Sequence, residues 1–201
     1  MSLLSQRRRR PALVVLGICL IYAGGPVSLR ATNEFQLFTR PLAISERGTV
    51  SSYVLQTSHG RFSFLPPPNW VVKEDATAKE VVMMAQTLTT SIRFKIVEAK
   101  PQVSTMPARV AQWRTEILEN YPGARITGEF PCYTSRIEGA AFDLERSAPN
   151  KKKIFTRLAF IPLPEGRVEG NLTSTGGKLE DAHIVFGNFL TSFRVEPTTT
   201  R

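Results

Sequence analysis

Apolar and polar residues alternate along many short stretches of this chain, a spacing typical of β-strands that bury one face. In the clearest stretch, residues 60–64, Phe62 and Phe64 alternate with an arginine and a serine. Three prolines at 66–68 end this strand, because proline cannot donate a ladder hydrogen bond, and Trp70 follows as an anchor for the core. Similar patterns predict strands or extended segments at residues 51–56, 71–72, 81–88, 91–98, 125–131, 137–146, 153–163 and 166–174.

Two other stretches carry apolar residues at the spacing of three and four that indicates an amphipathic helix. Thr105 is placed to cap the first helix, Pro107 suits its first turn, and Pro122 with Gly123 ends it. Its apolar stripe consists of Val110, Trp113, Ile117, Leu118 and Tyr121. The second helix covers about residues 179–193, with a stripe of Leu179, Ala182, Phe186, Phe189, Leu190 and Phe193.

This order of elements, ββββ-α-ββββ-α, predicts an α+β fold. A mostly antiparallel sheet of about seven strands is expected to pack with the two helices as an α/β/α sandwich, formed by residues 51–195. We interpret residues 32–50 as a linker or N-terminal arm, because Pro41 and Gly48 interrupt any period there. Residues 196–201 are expected to be a flexible tail.

The N-terminus has the pattern of an export signal. Four arginines at positions 7–10 precede an apolar run at 12–23, followed by small residues. The run is shorter than the roughly 20 apolar residues that a spanning helix needs. We therefore predict a signal peptide at residues 1–31, removed after Ala31, with an uncleaved anchor as the alternative. The mature chain would be periplasmic, lumenal or extracellular, without a transmembrane domain.

Export also changes how the charge and the cysteines are interpreted. Five of the 26 basic residues and none of the 17 acidic residues lie in 1–31, so the net charge of +9 falls to +4 in the mature chain. A balance this modest, without a basic stripe and interleaved aromatic residues, argues against nucleic-acid binding. Cys132 would be the one cysteine left, which excludes an intramolecular disulfide.

The strand, prolines and tryptophan of residues 60–70, the mid-chain helix, the strand run and the closing residues 189–194 together resemble the PsbP-like family. The resemblance covers about residues 51–195. It implies a non-enzymatic protein that binds a membrane complex or another partner. Some members of the family hold metals through His, Asp and Glu, but His59 and His183 supply no matching cluster, so we expect no metal or cofactor.

The leading hypothesis is therefore an exported, non-catalytic accessory or binding domain. It would dock to a membrane complex or to another exported protein. Lys151, Lys152 and Lys153, beside a predicted hairpin tip, are the candidate contact with an acidic partner or with anionic lipid headgroups.

Two other functions are alternatives. One is an exported enzyme that uses Cys132 or His183 with a carboxylate, although no base adjoins the cysteine in sequence and the histidine is expected to be a partly buried structural residue. The other is a carrier of a small ligand or lipid, with a pocket between the strand of Met83 and Met84 and a helix. A separate set, Asp143, Glu145 and Arg157, is interpreted as a cross-strand charge pair on a sheet face.

Overall fold

Two antiparallel sheets and two helices are formed by the residues that the computed structural model describes, which are 35–45, 48–86, 89–98, 105–147, 153–164, 166–175 and 179–197. The strands are β1 (Phe35–Ile44), β2 (Gly48–Thr57), β3 (Gly60–Phe64), β4 (Val71–Asp75), β5 (Glu80–Met84), β6 (Thr90–Val97), β7 (Arg125–Tyr133), β8 (Glu138–Ser147), β9 (Lys153–Leu163), β10 (Gly166–Ser174) and β11 (Arg194–Glu196). The helices are α1 (Met106–Asn120) and α2 (Glu180–Ser192).

The larger sheet has seven strands in the order β4-β5-β6-β10-β9-β8-β7, and every neighbouring pair is antiparallel. Because side chains alternate along each strand, neighbouring residues such as Ala140 and Ala141 face opposite sides of this large sheet. Trp113 and Ile117 of α1 pack on one side, against Phe142 and neighbouring apolar residues. The apolar residues of α2 belong to the core on the other side. The predicted α+β sandwich with a sheet of about seven strands is confirmed.

The smaller sheet, in the order β1-β2-β3-β11, is absent from the sequence prediction. Residues 35–44, interpreted as part of a linker or arm, form β1 and pair with β2 along its whole length. The interpretation of this stretch as irregular was wrong because Pro41 masks the strand pattern, whereas an edge strand tolerates a proline that donates no ladder bond. β11 pairs with residues 61–63, so Glu196, the first residue of the predicted tail, lies in a strand.

Phenylalanine rings join the two sheets and α2. We call this the aromatic cluster, and it consists of Tyr53, Phe62, Phe64, Phe94, Phe186, Phe189 and Phe193. Phe64 of the small sheet lies edge-on to Phe94 of the large sheet, with ring centroids 4.9 Å apart. It also meets Phe189 of α2 at 5.8 Å. Such pairs add to the free energy of burying each ring, so the cluster fixes how the sheets meet.

Several local expectations differ in detail from the structure. Thr105 precedes α1, but its side chain makes no capping hydrogen bond, while the proline in the first turn is present as predicted. Leu118, assigned to the buried stripe of α1, is 50% exposed. Trp70 is half-buried and packs against the core. Residues 1–31, the predicted signal peptide, lie outside the described residues. Neither helix in the described part of the chain is long and apolar enough to cross a membrane.

Candidate functional site

A cleft of about 1010 Å³ opens where the small sheet meets the end of the large sheet. Three parts of the chain form its walls: the end of β1, strand β11 with the residues around it, and the turn 134–137 between β7 and β8. The cleft is lined by Arg40, Leu42, Ala43, Ile44, Ser45, Ser52, Ser63, Phe64, Leu65, Thr134, Ser135, Arg136, Ile137, Ile161, Leu163, Ser192, Phe193, Arg194, Val195, Glu196 and Pro197. Its volume is at the upper end of the range for ligand pockets.

An ion pair shows that the small sheet curls around this cleft. Arg40 on β1 and Glu196 on β11 approach to 2.5 Å between Nη2 and Oε1. β1 and β11 are the opposite edges of the sheet, with two strands between them. Through the ladders Glu196 lies opposite Gln36, which is four residues from Arg40 along β1. A flat sheet would therefore separate Arg40 from Glu196 both across three strand spacings of about 4.8 Å and along the strand, too far for the contact. The curl therefore brings both edge strands to one cavity.

The floor of the cleft is the border of the aromatic cluster. Phe64 and Phe193 both line the cleft and both belong to the cluster. Ser192 at the end of α2 fixes this border, because its Oγ accepts a hydrogen bond from the Leu65 N–H at 3.0 Å and donates one to the Phe189 carbonyl at 2.7 Å. The helix end and the chain after β3 are thus tied together beneath the cavity.

The turn between β7 and β8 presents an arginine at a fixed place. Thr134 is buried, and its Oγ1 accepts hydrogen bonds from the N–H groups of Arg136 and Ile137 at 3.4 and 3.0 Å. The Thr134 N–H in turn donates to the Ile137 carbonyl at 2.9 Å. Short loops closed by a threonine in this way satisfy their own backbone groups. The exposed Arg136 therefore stands on a well-supported turn at the wall of the cleft.

The charge of the cleft is positive. Three arginines line it, and Glu196 is the one acidic residue among the described lining residues. Glu196 already pairs with Arg40. Arg136 and Arg194 are exposed, and within the described part of the chain neither has a carboxylate at ion-pair distance. Two exposed arginines without an acidic partner among the described residues thus line a partly apolar cavity.

The candidate nucleophile, Cys132, lies in an environment that keeps it protonated. Its side chain is half-buried against the core. Burial raises the pKa of this thiol to about 12, and the positive charge of Arg157 offsets the effect only in part. Since the thiolate is the reactive form, a thiol with this pKa is a poor nucleophile at neutral pH. The interpretation of Cys132 as a packed, inert residue agrees with this environment.

His183 is exposed on α2, so the expectation that it is partly buried was wrong. The error arose because α2 buries the side that carries Phe186 and Phe189, and His183 lies beyond the edge of that stripe. It borders a hollow of about 480 Å³ together with Asp143 and Arg157. Both Asp143 oxygens already accept hydrogen bonds from Arg157, at 2.6 and 2.8 Å.

This contact confirms the predicted cross-strand pair, since Asp143 and Arg157 lie opposite each other in the β8–β9 ladder. The Arg157 guanidinium also stacks over the Phe130 ring, 4.5 Å from its centroid. The Asp143 carboxylate that shares this hollow with His183 is therefore engaged in a structural ion pair. His59, the other histidine, has its Nε2 3.7 Å from Glu98 Oε1. Among the described residues, no group of three or more His, Cys, Asp or Glu side chains is placed to hold a metal ion.

Lys153 is the one of the three candidate contact lysines that lies among the described residues. Lys153 begins β9, and its Nζ lies 2.7 Å from Glu145 Oε1. The hydrogen bond from Lys153 lowers the pKa of Glu145. Lys151 and Lys152 lie outside the described residues. The positive charge of Lys153 is therefore already partly matched by its own chain.

The proposed carrier pocket beside Met83 and Met84 is not where the cleft lies. Met83 is fully buried in the core, and neither methionine lines the cleft. The arginines of the cleft were missed by sequence reasoning because they come from three distant stretches. Arg40 was assigned to a linker, and no local pattern links it to Arg136 or Arg194. The pairing of β1 with β2 places Arg40 in a strand, and only the structure shows this pairing.

Comparisons with known proteins support the fold and not a site. The cyanobacterial PsbP protein CyanoP of Synechocystis sp. PCC 6803 has a similar structure, with a TM-score of 0.52 at 13% identity, covering 90% of this chain and 99% of that one. The Ran-binding protein Mog1p of Saccharomyces cerevisiae has a TM-score of 0.49 at 11% identity, covering 80% and 96%. LpqN of Mycobacterium tuberculosis, involved in cell envelope biogenesis, has a TM-score of 0.45 at 12% identity, covering 86% and 100%.

No protein-family model matches the chain, and no curated protein sequence matches it. The resemblance to PsbP-like proteins is therefore confirmed at the level of the fold. At 13% identity the similarity to CyanoP assigns no residue a role.

Proposed function

We propose that this chain is an exported, non-catalytic binding domain that docks to another exported protein or to a membrane-associated complex. The cleft between the two sheets is the observation that carries the proposal. It combines apolar side chains with arginine and hydroxyl groups on its lining. A surface of this mixed character suits recognition of a partner, since apolar contacts supply affinity and placed polar groups supply specificity.

The chemistry of the two candidate catalytic residues favours binding over catalysis. A nucleophile needs a base within hydrogen-bond reach, or an environment that lowers its pKa. Cys132 has the opposite, a pKa raised to about 12 by burial. A histidine base is usually oriented by a carboxylate, whereas Asp143 near His183 is held by Arg157. Neither residue has the support that an enzyme of these classes requires.

The three lysines at positions 151–153, which lie between β8 and β9 in the sequence or at the start of β9, are a second element of the proposal. Lys151, Lys152 and Lys153 would add attraction to anionic headgroups or to an acidic partner, an attraction that weakens as salt rises. Changing all three to glutamate is expected to reduce co-fractionation with membranes or with the partner. Unchanged co-fractionation at low salt would remove these lysines from the proposal while leaving the cleft.

Native mass spectrometry of the protein purified from its own host tests the proposed function. We expect the mass of a chain cleaved after Ala31, together with a second species that contains an additional protein chain. An intact N-terminus would argue for a retained anchor. A bound lipid or small molecule in place of a protein would favour the carrier, for which the volume of the cleft is also sufficient.

A further inference from the structure

We infer that the cleft binds an extended, acidic segment of the partner protein, with Arg136 and Arg194 as the residues that select its negative charge. The inference rests on the proposed binding function and names the site and the chemistry of the partner. It combines three features of the described residues: unmatched positive charge, a mixed apolar and hydroxyl lining, and a free strand edge.

The three arginines of the cleft differ in whether a carboxylate of the chain already pairs with them. Arg40 is paired with Glu196, so this guanidinium has little charge left for a ligand. Arg136 and Arg194 come from two different segments that line the cleft, and both are exposed. Carboxylates of a bound segment would pair with them without displacing an internal partner. Guanidinium groups suit such contacts because they bind carboxylates in a bidentate manner.

A groove on the opposite side of the large sheet also carries charged residues, but there each positive charge is paired with a carboxylate. Its volume is about 380 Å³. Arg167 pairs with Glu116 and Glu169 at 2.6 and 2.5 Å. Lys95 pairs with Glu169, and Arg93 pairs with Glu80, both at 3.2 Å. In the cleft, two of the three arginines have no carboxylate partner among the described residues. An acidic ligand is therefore expected to bind there and not in the smaller groove.

The lining favours a peptide over an acyl chain. Hydroxyl groups of several serines and Thr134 are distributed among the apolar side chains of the cleft. The hydroxyls of Ser52, Thr134 and Ser192 already have hydrogen-bond partners within the chain. An acyl chain buried against the two unmatched arginines would leave their guanidinium groups without partners, which is costly. An extended peptide places alternate side chains on apolar and charged surfaces.

The edge of the small sheet supplies a further point of attachment. β11 pairs with β3 on one side, and on the other side no strand neighbours it among the described residues. Val195 in the middle of β11 is 46% exposed. An extended segment can add to such an edge through backbone hydrogen bonds. Because β11 has three residues, these bonds would be few, and the arginines must supply much of the selectivity.

Selection from a phage-displayed library of random 12-residue peptides on the full chain tests this inference. We expect the enriched peptides to contain aspartate or glutamate alternating with apolar residues. The best of them, synthesised with a fluorophore, should lose roughly tenfold or more in affinity when Arg136→Glu and Arg194→Glu are combined. Its affinity for the unchanged chain should also fall as salt increases.

The matched control is the double change Lys73→Glu and Lys79→Glu, which alters net charge equally on an exposed hairpin that does not line the cleft. It should leave peptide affinity within about twofold, since distant exposed charges are screened by salt. Thermal unfolding of both variants shows that they remain folded. Enrichment of neutral or basic peptides, equal binding by both variants, or no enrichment at all would each overturn the inference.

The inference and the proposed function can fail separately. If native mass spectrometry finds a bound protein chain and the Arg136→Glu, Arg194→Glu variant still retains it, the binding function stands and the cleft is the wrong site. If no protein chain accompanies the unchanged protein, the proposed function itself fails.

Discussion

The space between the two sheets is filled by side chains in one region and open to solvent in the adjoining region. In one, the rings of the aromatic cluster fill it, and Phe62, Phe64 and Phe94 are almost fully buried. In the other, the curl of the small sheet leaves the cleft, where Leu42 and Val195 are 37% and 46% exposed. Close packing in the first region holds the sheets together, so the second can remain open without loss of the fold. The residues of the aromatic cluster therefore stabilise the fold, whereas the residues of the cleft are available to bind a partner.

Removal of a ring from the filled region is expected to have the largest effect on stability. Phe94 contacts Phe64, Phe189 and Phe193, with centroids 4.9–5.7 Å apart. Phe94→Ala is expected to lower the free energy of unfolding by about 3–5 kcal/mol, because it removes buried area and leaves a cavity. Urea denaturation measures the loss. Similar losses for Phe94→Ala and for Leu42→Ala in the cleft would contradict the distinction.

The reactivity of the Cys132 thiol measures whether water is excluded from the core where β7 packs against it. With a pKa of about 12, its thiolate fraction at pH 7.5 is small. Alkylation of the folded protein by iodoacetamide should be roughly a thousandfold slower than that of a free thiol with pKa near 8.5. The rate should keep rising with pH to near 12 and should become fast in urea. Rapid labelling that levels off near pH 8 would show that the thiol is solvated.

Ser192 lies on the border between the two regions, so its loss should have an intermediate effect. Ser192→Ala leaves the Leu65 N–H without its acceptor and is expected to cost about 1–2 kcal/mol of stability. Thr191→Ala is the matched control, because the neighbouring hydroxyl is exposed and donates only to the carbonyl of Asn188 at 2.9 Å. Equal effects of the two changes would mean that the border hydrogen bonds contribute nothing specific.

The smallest effect is expected at the ion pair that spans the cleft. A double-mutant cycle with Arg40→Ala and Glu196→Ala should give a coupling free energy of about 0.2–1 kcal/mol, because the arginine is largely exposed. The coupling should decline in 1 M salt. A salt-independent coupling of several kcal/mol would mean that the curl of the small sheet, and hence the cleft, depends on this pair.

Local patterns predicted several strands and one helix with nearly the bounds observed. β9 and β10 were predicted with the bounds observed, 153–163 and 166–174, and α2 within one residue at each end. β1 was missed because Pro41 interrupts its pattern, so that only its pairing with β2 along the whole strand identifies it. β11 was missed for a related reason: three residues carry no readable period, and pairing with β3 alone makes them a strand.

Exposure at the flank of an element was predicted less well than its core. Leu118 was assigned to the apolar stripe of α1 and His183 was expected to be partly buried, yet both are exposed. Helical spacing identifies the centre of a buried stripe, but its width depends on how far the neighbouring sheet extends across the helix. The pair of Asp143 and Arg157 was predicted correctly. The two residues lie on consecutive strands, where the alternation of side chains is enough to place opposite charges next to each other.

Local sequence patterns are sufficient to predict the α+β class, the strands of the large sheet, both helices and the apolar side of each, because the periods of two and 3.6 are local properties of the backbone. They also predict that the phenylalanines of β3, β6 and α2 are buried. Arg40, Arg136 and Arg194, in contrast, come together around one cleft only in the folded chain. Their meeting depends on the order of strands in the small sheet, on its curl and on the turn of another sheet. These are contacts between distant segments, and no periodicity within one segment encodes them.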